Sequence, residues 1–139
     1  MSLELFSDAW ARAWCTALNA SEGYRAAAQN WEGVVALVIN GGEPARAAVL
    51  DSAGGVCRMA RAANAADLAG AGYVFEAGPE VWREVFTGQV APAMALLTGR
   101  LKLSRGSLAA LMPHATAARE LLAAAGTVPV TFPEAGSEA

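Results

Sequence analysis

The amino-acid sequence predicts an α+β fold, and three observations lead to that prediction. An apolar stripe at helical spacing opens the chain, and three apolar runs separated by turn-forming residues follow it. Helix-start signals then dominate the second half. The length of 139 residues suits one domain, and 55% hydrophobic against 17% charged residues predict a buried core.

The composition also narrows the class of protein. The longest run of large apolar character extends from Val34 to Ile39, far short of the roughly 18 residues that cross a bilayer. The N-terminus has no basic start followed by an apolar stretch, and a net charge of −3 argues against nucleic acid as the main partner. Cys15 and Cys57 can form one disulfide, but no CxxC motif or disulfide framework is visible. We therefore expect a soluble protein in a reducing cytoplasm.

The first half of the chain reads as one helix followed by strands. The helix is predicted from about Leu3 to Ala20, because aromatic and aliphatic residues recur on one face; it ends at Ser21-Glu22-Gly23, and no element is assigned to Tyr24 to Asn30. Trp31 to Asn40 is apolar on both faces, which predicts a central strand. Three further strands and their connections follow: a hairpin turn at Asn40-Gly41-Gly42, strand Arg46 to Leu50, a turn over Asp51 to Gly55, strand Val56 to Arg61, a loop from Ala62 to Gly72, and strand Tyr73 to Ala77.

The second half carries short helices and one more strand. Gly78-Pro79-Glu80 starts a helix that stops at Gly88, and Ala91-Pro92 starts a second one, with Met94 and Leu97 inward, that ends at Gly99. Arg100 to Ser104 alternates between polar and apolar residues, which predicts a fifth strand with a wet outer face.

A final helix is predicted from Gly106-Ser107 to Gly126. Pro113 lies inside its apolar stripe and should kink the helix or divide it into two pieces. We assign residues 1–126 to the domain and 127–139 to a tail, in which Val128, Val130 and Phe132 pack on the domain and the acidic end is disordered.

The inventory of reactive side chains is thin. The single histidine, His114, has no carboxylate or nucleophile placed beside it by any motif, and three metal ligands do not occur at a recognisable spacing. Glu76, Glu80 and Glu84 suit a solvated face near a helix start. We therefore predict neither an enzyme nor a bound cofactor. Arg100, Lys102 and Arg105 are interpreted as solvated, with contact to a phosphate or an anionic membrane surface as the alternative.

Long apolar side chains concentrate in four consecutive elements of the second half. They either form a single packed core or line a cavity with adaptable walls, and both outcomes need the same residue types. The candidate ligand-binding residues are Trp82, Phe86, Met94, Leu97, Leu101, Leu103, Leu108, Leu111 and Met112.

This order of elements resembles the sterol carrier protein family, the non-specific lipid-transfer domain, from about Phe6 to Phe132. The densest part is Trp82-Arg83-Glu84-Val85-Phe86-Thr87-Gly88 followed by Pro92-Ala93-Met94-Ala95-Leu96-Leu97-Thr98-Gly99-Arg100-Leu101-Lys102-Leu103. It is similar to the family's tryptophan helix, its proline-started short helix and the Gly-basic-Leu-Lys-Leu strand after them. Where the family often has Gly-Asp, this chain has Gly106-Ser107. Its end, Ser137-Glu138-Ala139, lacks the targeting tripeptide of peroxisomal members, as in a bacterial stand-alone protein.

The resemblance implies a five-stranded, mostly antiparallel sheet covered on one side by helices, with an apolar tunnel between the layers and the final helix as its lid. It implies binding of a fatty acid, acyl-CoA, phospholipid or sterol-like lipid, and no catalysis. Two other functions stay open at this point. One is an interaction module with a filled core that pairs with another chain or forms a homodimer, with Trp10 and Trp14 on the paired surface; the other is an accessory domain that holds an apolar substrate for a separate enzyme.

Overall fold

The structure is a computed structural model that describes residues 3–40 and 46–131. Its strands are β1 Leu3–Glu4, β2 Glu32–Ile39, β3 Arg46–Ala53, β4 Val56–Ala62, β5 Tyr73–Ala77, β6 Lys102–Arg105 and β7 Val130–Thr131. Its α-helices are α1 Asp8–Asn19, α2 Glu22–Ala27, α3 Ala65–Gly70, α4 Pro79–Phe86, α5 Pro92–Leu97, α6 Leu108–Leu111 and α7 Ala115–Ala125. One turn of 3-10 helix, Met112–His114, joins α6 to α7.

The main sheet has five strands in the order β4-β3-β2-β5-β6. Strand β2 pairs antiparallel with β3 and parallel with β5, and the two outer pairs, β3 with β4 and β5 with β6, are antiparallel. The prediction of a mostly antiparallel α+β fold with a central strand over residues 31–40 is therefore confirmed. A second, two-stranded sheet pairs β1 with β7 in parallel.

Alternation along β2 divides the core between the two faces of the sheet. Val35, Leu37 and Ile39 belong to the large core beneath α1, α4 and α7, whereas Ala36 and Val38 face a smaller apolar cluster on the opposite side. Leu68 of α3 packs on that smaller cluster. The short helix α3 therefore packs on the face of the sheet for which the sequence predicts no covering helix.

Two differences between the predicted and the observed helices in the first forty residues are due to serine N-caps. The predicted helix from Leu3 begins only at Asp8, because the hydroxyl of Ser7 accepts a hydrogen bond from Trp10 N and Leu3–Glu4 is extended. Ser21, predicted as part of a helix stop, caps the unassigned helix α2 through Tyr24 N in the same way.

Two further expectations for the middle of the chain are wrong. The residues Asp51 to Ala53 are not in the turn but continue β3, and Gly54-Gly55 alone makes the turn, since both adopt positive φ, 59° and 85°. The loop over Ala62 to Gly72 contains α3, which a reciprocal pair of hydrogen bonds between Asn64 and Asp67 caps. The turn at Gly41-Gly42 lies outside the described residues.

Pro113 divides the last helix, as the sequence predicts. It lies in the 3-10 turn that separates α6 from α7, and the helix ends at Gly126. In the tail, Val128 is buried and β7 pairs with β1, while the disorder expected at the acidic end falls on residues outside the described range.

The structure pairs the two cysteines in a disulfide between α1 and β4. Asn19 binds the same strand: its Oδ1 accepts from Cys57 N at 2.8 Å, and its Nδ2 donates to Cys57 O at 3.0 Å. Trp10 and Trp14 are fully buried in the main core, so they do not contribute the exposed surface considered for an interaction module.

Candidate functional site

A cavity of about 400 Å³ lies between the helices α5, α6 and α7, with Phe75 of β5 in its wall. Twelve of the fourteen side chains around it are apolar, and the two polar ones are Thr116 and Arg119. This volume and lining are typical of a site for a small apolar ligand. The lining residues are Phe75, Ala91, Pro92, Ala93, Leu96, Leu97, Leu108, Leu111, Met112, Ala115, Thr116, Ala118, Arg119 and Leu122.

Turn chemistry fixes the two short helices that form one wall. Pro92 occupies the first position of α5, where its fixed φ suits a helix and its missing N–H costs nothing. Ser107 caps α6 by accepting from Ala110 N at 3.0 Å, and Gly106, at φ 88°, passes so close to Tyr73 that a Cβ there would lie 2.6 Å from its ring.

Helix α7 supplies the opposite wall with small side chains. Ala115, Ala118 and Leu122 recur three and four residues apart and therefore share one face of the helix, and all three line the cavity. Because alanine stops at Cβ, this face cannot fill the space up to α5 and α6. The alanine richness of the sequence thus contributes directly to the empty volume.

Large apolar side chains are exposed around this cavity. Leu97 is 74% exposed, Met112 61% and Leu108 47%, and each also lines the cavity. Met94 of α5 is 54% exposed as well. Exposed apolar residues concentrated on neighbouring short helices are typical of a binding surface rather than of ordinary solvent contact.

The prediction that Met94 and Leu97 point inward is wrong. The helix α5 buries Ala95 instead, whose carbonyl accepts hydrogen bonds from Arg100 N at 3.0 Å and Leu101 N at 3.1 Å. This close approach of the backbone places the small residue against the core, so the larger neighbours on the other faces stay outside.

The structure brings together four of the nine candidate ligand-binding residues. Leu97, Leu108, Leu111 and Met112 surround the cavity. Of the other five, which do not line it, Trp82, Phe86 and Leu101 are buried, Leu103 is half-buried and Met94 is exposed. The candidate residues from the sequence include neither Phe75 nor the small residues Ala115 and Ala118 of the cavity wall.

The tryptophan helix belongs to a fixed aromatic cluster. The Trp82 ring lies 5.2 Å from that of Phe86 and 5.5 Å from that of Phe6, and its indole N–H donates to Val38 O at 2.9 Å. These rings are packed against each other and anchored to the sheet. None of these three rings is part of the cavity walls.

Other polar or titratable side chains, outside the cavity, contact neighbouring residues. The His114 ring stacks on Trp31 with centroids 5.9 Å apart, and Arg100 forms an ion pair with Glu84. The Tyr24 hydroxyl lies 2.5 Å from Ser52 Oγ; burial raises the pKa of Tyr24, and the hydrogen bond with Ser52 opposes that shift. Across residues 3–40 and 46–131, no group of three His, Cys, Asp or Glu side chains is placed to hold a metal ion.

None of the helices that the structure describes is both long and apolar enough to cross a membrane.

Comparisons with known proteins show which family and fold this chain resembles. The model of the SCP-2 sterol transfer family matches residues 14–118. This segment contains the second half of α1, the whole main sheet and the first part of α7. A search of curated protein sequences yields no match.

Solved structures resemble most of the chain. A crystal structure of sterol carrier protein 2 is 42% identical with a TM-score of 0.81, and the match covers 90% of this chain and 99% of that one. The solution structure of a conserved hypothetical protein from Thermus thermophilus, described as possibly a sterol carrier protein, is also 42% identical, with a TM-score of 0.81 and coverage of 98% and 97%. Sterol carrier protein 2 from Yarrowia lipolytica, at 13% identity, a TM-score of 0.55 and coverage of 83% and 88%, shares the fold alone.

Proposed function

Because this chain belongs to the SCP-2 sterol transfer family, we propose that it binds a lipid or another apolar ligand in the cavity over Phe75. The observation that carries the proposal is the combination of about 400 Å³ of space with apolar walls on every helix around it. A ligand there would cover Leu97, Leu108 and Met112, whose side chains are otherwise in contact with water.

The hydrophobic effect supplies enough free energy for such binding. Each methylene removed from water contributes about 0.8 kcal/mol, so a chain of roughly a dozen methylenes gains on the order of 10 kcal/mol before the costs of association. Apolar walls discriminate ligand size weakly. Broad specificity among chain lengths follows.

The proposed activity is binding and transfer without catalysis. Thr116 and Arg119 supply the polar side-chain atoms of the cavity wall, a hydroxyl and a guanidinium. A guanidinium stays protonated and cannot act as a general base, and a hydroxyl needs a base beside it to become a nucleophile. The walls therefore suit a carrier.

Displacement of a fluorescent apolar probe by unlabelled fatty acids tests the proposal. Ala115→Trp places a large ring in the cavity wall and should weaken binding at least tenfold. The matched control is Ala123→Trp, which puts the same ring on an exposed position of the same helix outside the cavity lining and should bind like the parent protein.

Native mass spectrometry provides a second readout, since a bound lipid adds its mass to the protein. Absence of binding in both assays contradicts the proposal, as does equal binding by Ala115→Trp and Ala123→Trp. Sedimentation of the same samples measures whether the exposed leucines and methionines instead pair two copies of the chain.

Exchange of the ligand with a bilayer is the transfer step of the proposal. Lys102 and Arg105 are exposed on β6, the strand that leads directly into α6 at the cavity. Cations beside exposed apolar residues favour an anionic lipid surface. Vesicles of phosphatidylglycerol should therefore accelerate transfer more than vesicles of phosphatidylcholine, and equal rates would contradict this step.

A further inference from the structure

A row of three aromatic rings joins the sheet to the connection between α6 and α7. Trp31, just before β2, lies in the middle of this row: its ring is 6.1 Å from that of Tyr73 on β5, and the ring of His114 stacks on it at 5.9 Å with 13° between the planes. The Trp31 side chain is buried, and its backbone N–H donates to Ala28 O at 3.0 Å while its carbonyl accepts from Gly54 N at 3.2 Å. Trp31 therefore has a fixed position against which the histidine ring packs.

Helix α6 and the 3-10 turn after it contact this row at both of their ends. At the start, the backbone of Gly106 lies against the Tyr73 ring, since a Cβ there would be 2.6 Å from a ring atom. At the end, His114 is the last residue of the 3-10 turn. Within residues 108–113 Leu111 alone is buried, and the other side chains are exposed. The segment is thus attached mainly at its two ends and at one leucine.

The other helices around the cavity are attached more firmly. In α5, Ala95 is fully buried and its carbonyl accepts backbone hydrogen bonds from the two residues just before β6. Helix α7 is attached to α1, because the indole N–H of Trp14 donates to Leu121 O at 3.0 Å. The hydrogen bonds of α6 in the described part of the chain, by contrast, are made within residues 107–115. Helix α6 is therefore the wall element that moves most easily.

Both ends of this segment have the backbone chemistry of hinges. Gly106 adopts φ 88°, a region that glycine enters without steric cost, and Pro113 interrupts the helical hydrogen bonds between α6 and α7. Hinges are typically a few residues at the ends of elements that absorb changes in φ and ψ. Rotation about these two positions would move Leu108, Leu111 and Met112 together, and all three line the cavity. Such a rotation would open the cavity wall while α7 stays in place.

We propose that α6 and the 3-10 turn form a gate to the cavity, and that the stack of His114 on Trp31 holds this gate closed. The inference rests on the proposed function, the binding of an apolar ligand in the cavity, and adds how the ligand enters and leaves. It narrows the lid that the family resemblance implies from the whole final helix to residues 107–114. His114 acts as a positioning residue, since neither it nor Trp31 lines the cavity.

Stopped-flow measurements with the uncharged fluorescent probe N-phenyl-1-naphthylamine test the gate. An aromatic pair shifts an equilibrium about two- to tenfold, so His114→Ala should raise the open fraction by about fivefold. Because the ligand enters and leaves through the open state, the association and dissociation rates should both rise by that factor, and the dissociation constant should stay nearly the same. His114→Phe keeps a ring on Trp31 and should restore both rates to those of the parent.

A matched pair of glycine variants tests the other end of the segment. Gly106→Ala places a Cβ against the Tyr73 ring and 2.9 Å from Gly72 O, which should displace the start of α6. Gly88→Ala is the control, because Gly88 has a similar φ of 83° but a Cβ there meets nothing within 4 Å. Gly106→Ala should raise both rates, as His114→Ala does, whereas Gly88→Ala should leave them unchanged. Circular dichroism verifies that each variant is folded at the temperature used.

Hydrogen exchange followed by mass spectrometry detects the gate without any ligand. In His114→Ala, the amides of Ala110, Leu111 and Met112, which donate within α6, should exchange about fivefold faster. The amides of the second half of α7 should exchange as in the parent, because Trp14 still binds Leu121 O. Faster exchange throughout α7 would show that the final helix moves as one unit and would overturn the inference.

The outcomes distinguish this inference from the proposed function. Unchanged association and dissociation rates in His114→Ala overturn the gate while ligand binding stands. A rise in the dissociation rate alone overturns it as well, because that result indicates a lost contact with the ligand rather than faster opening. If the parent protein binds no probe, the proposed function fails, and the exchange rates of α6 then decide whether His114 holds this segment closed. Parallel increases in both rates, reversed in His114→Phe, support the gate.

Discussion

Reduction of the disulfide between Cys15 and Cys57 should destabilise the protein without disturbing the cavity. The bond closes a loop with a sequence separation of 42. In the chain-entropy model, a loop of that length lowers the entropy of the unfolded chain by about 13 cal/mol/K, which corresponds to ~4 kcal/mol at 25 °C. Measured disulfides fall at or below such values, so we expect a loss of roughly 2–4 kcal/mol.

The native state should survive reduction because a second tether remains. The two hydrogen bonds between the Asn19 side chain and the Cys57 backbone, at 2.8 Å and 3.0 Å, hold α1 against β4 independently of the sulfur atoms. Reduction therefore destabilises the protein mainly because it increases the conformational entropy of the unfolded chain.

Urea unfolding of the protein with and without a phosphine reductant measures this effect. The reduced protein should unfold at lower urea with an equal or larger m-value, since its unfolded chain is less compact. The Cys15→Ala/Cys57→Ala double variant should not respond to the reductant, and all samples should bind the fluorescent probe equally. Coincident unfolding curves for oxidised and reduced protein would refute the reasoning. Alkylation of both thiols in untreated protein would refute the pairing itself.

Two other predictions concern the middle of the chain. Gly55→Ala should lower the free energy of unfolding well beyond the ~1 kcal/mol expected for Gly88→Ala. Both residues have φ near 85°, but a Cβ on Gly55 would lie 2.5 Å from Arg25 O, whereas a Cβ on Gly88 would meet nothing within 4 Å. Similar urea midpoints for the two variants would contradict this prediction. The hydrogen bond from the Asn64 backbone lowers the pKa of Asp67, although its partial burial opposes the shift. The Asp67 carboxylate contributes its full stabilisation above the ordinary aspartate pKa of about 3.9, and this stabilisation is lost as the pH falls through the lower pKa of the folded state. Asp67→Asn should therefore reduce the loss of unfolding free energy at acidic pH. If that loss is the same in the variant and the parent, the Asp67 carboxylate does not contribute to it.

The local pattern of apolar residues in the sequence is sufficient to predict the strands of the main sheet. Val34 to Ile39 is apolar on both faces, and this predicts the central position of β2. The helices α2 and α3 escape prediction because each has only six residues, too few for an apolar stripe. Their caps at Ser21 and Asn64 are readable, and a search for caps rather than periodicity would find them.

The site is less accessible to sequence reasoning than the fold. Large apolar residues attract attention, yet Trp82, Phe86 and Leu101 fill the core, while the cavity depends on alanines such as Ala115 and Ala118. Whether a large side chain packs in the core or lines a cavity depends on the size of the residue that faces it on the neighbouring element. That partner is set by tertiary packing, so periodicity along one helix cannot reveal it.

The parallel pairing of β1 with β7 brings Leu3 beside Val130, so the first and the last strand that the structure describes are neighbours. A linker could join β7 to β1 there, and the chain could be opened at the exposed pair Gly88-Gln89 between α4 and α5. Such a circular permutant would keep every residue of the cavity wall and release the covalent connection between α4 and α5, so a comparison with the parent would show whether that connection affects the rate of ligand entry.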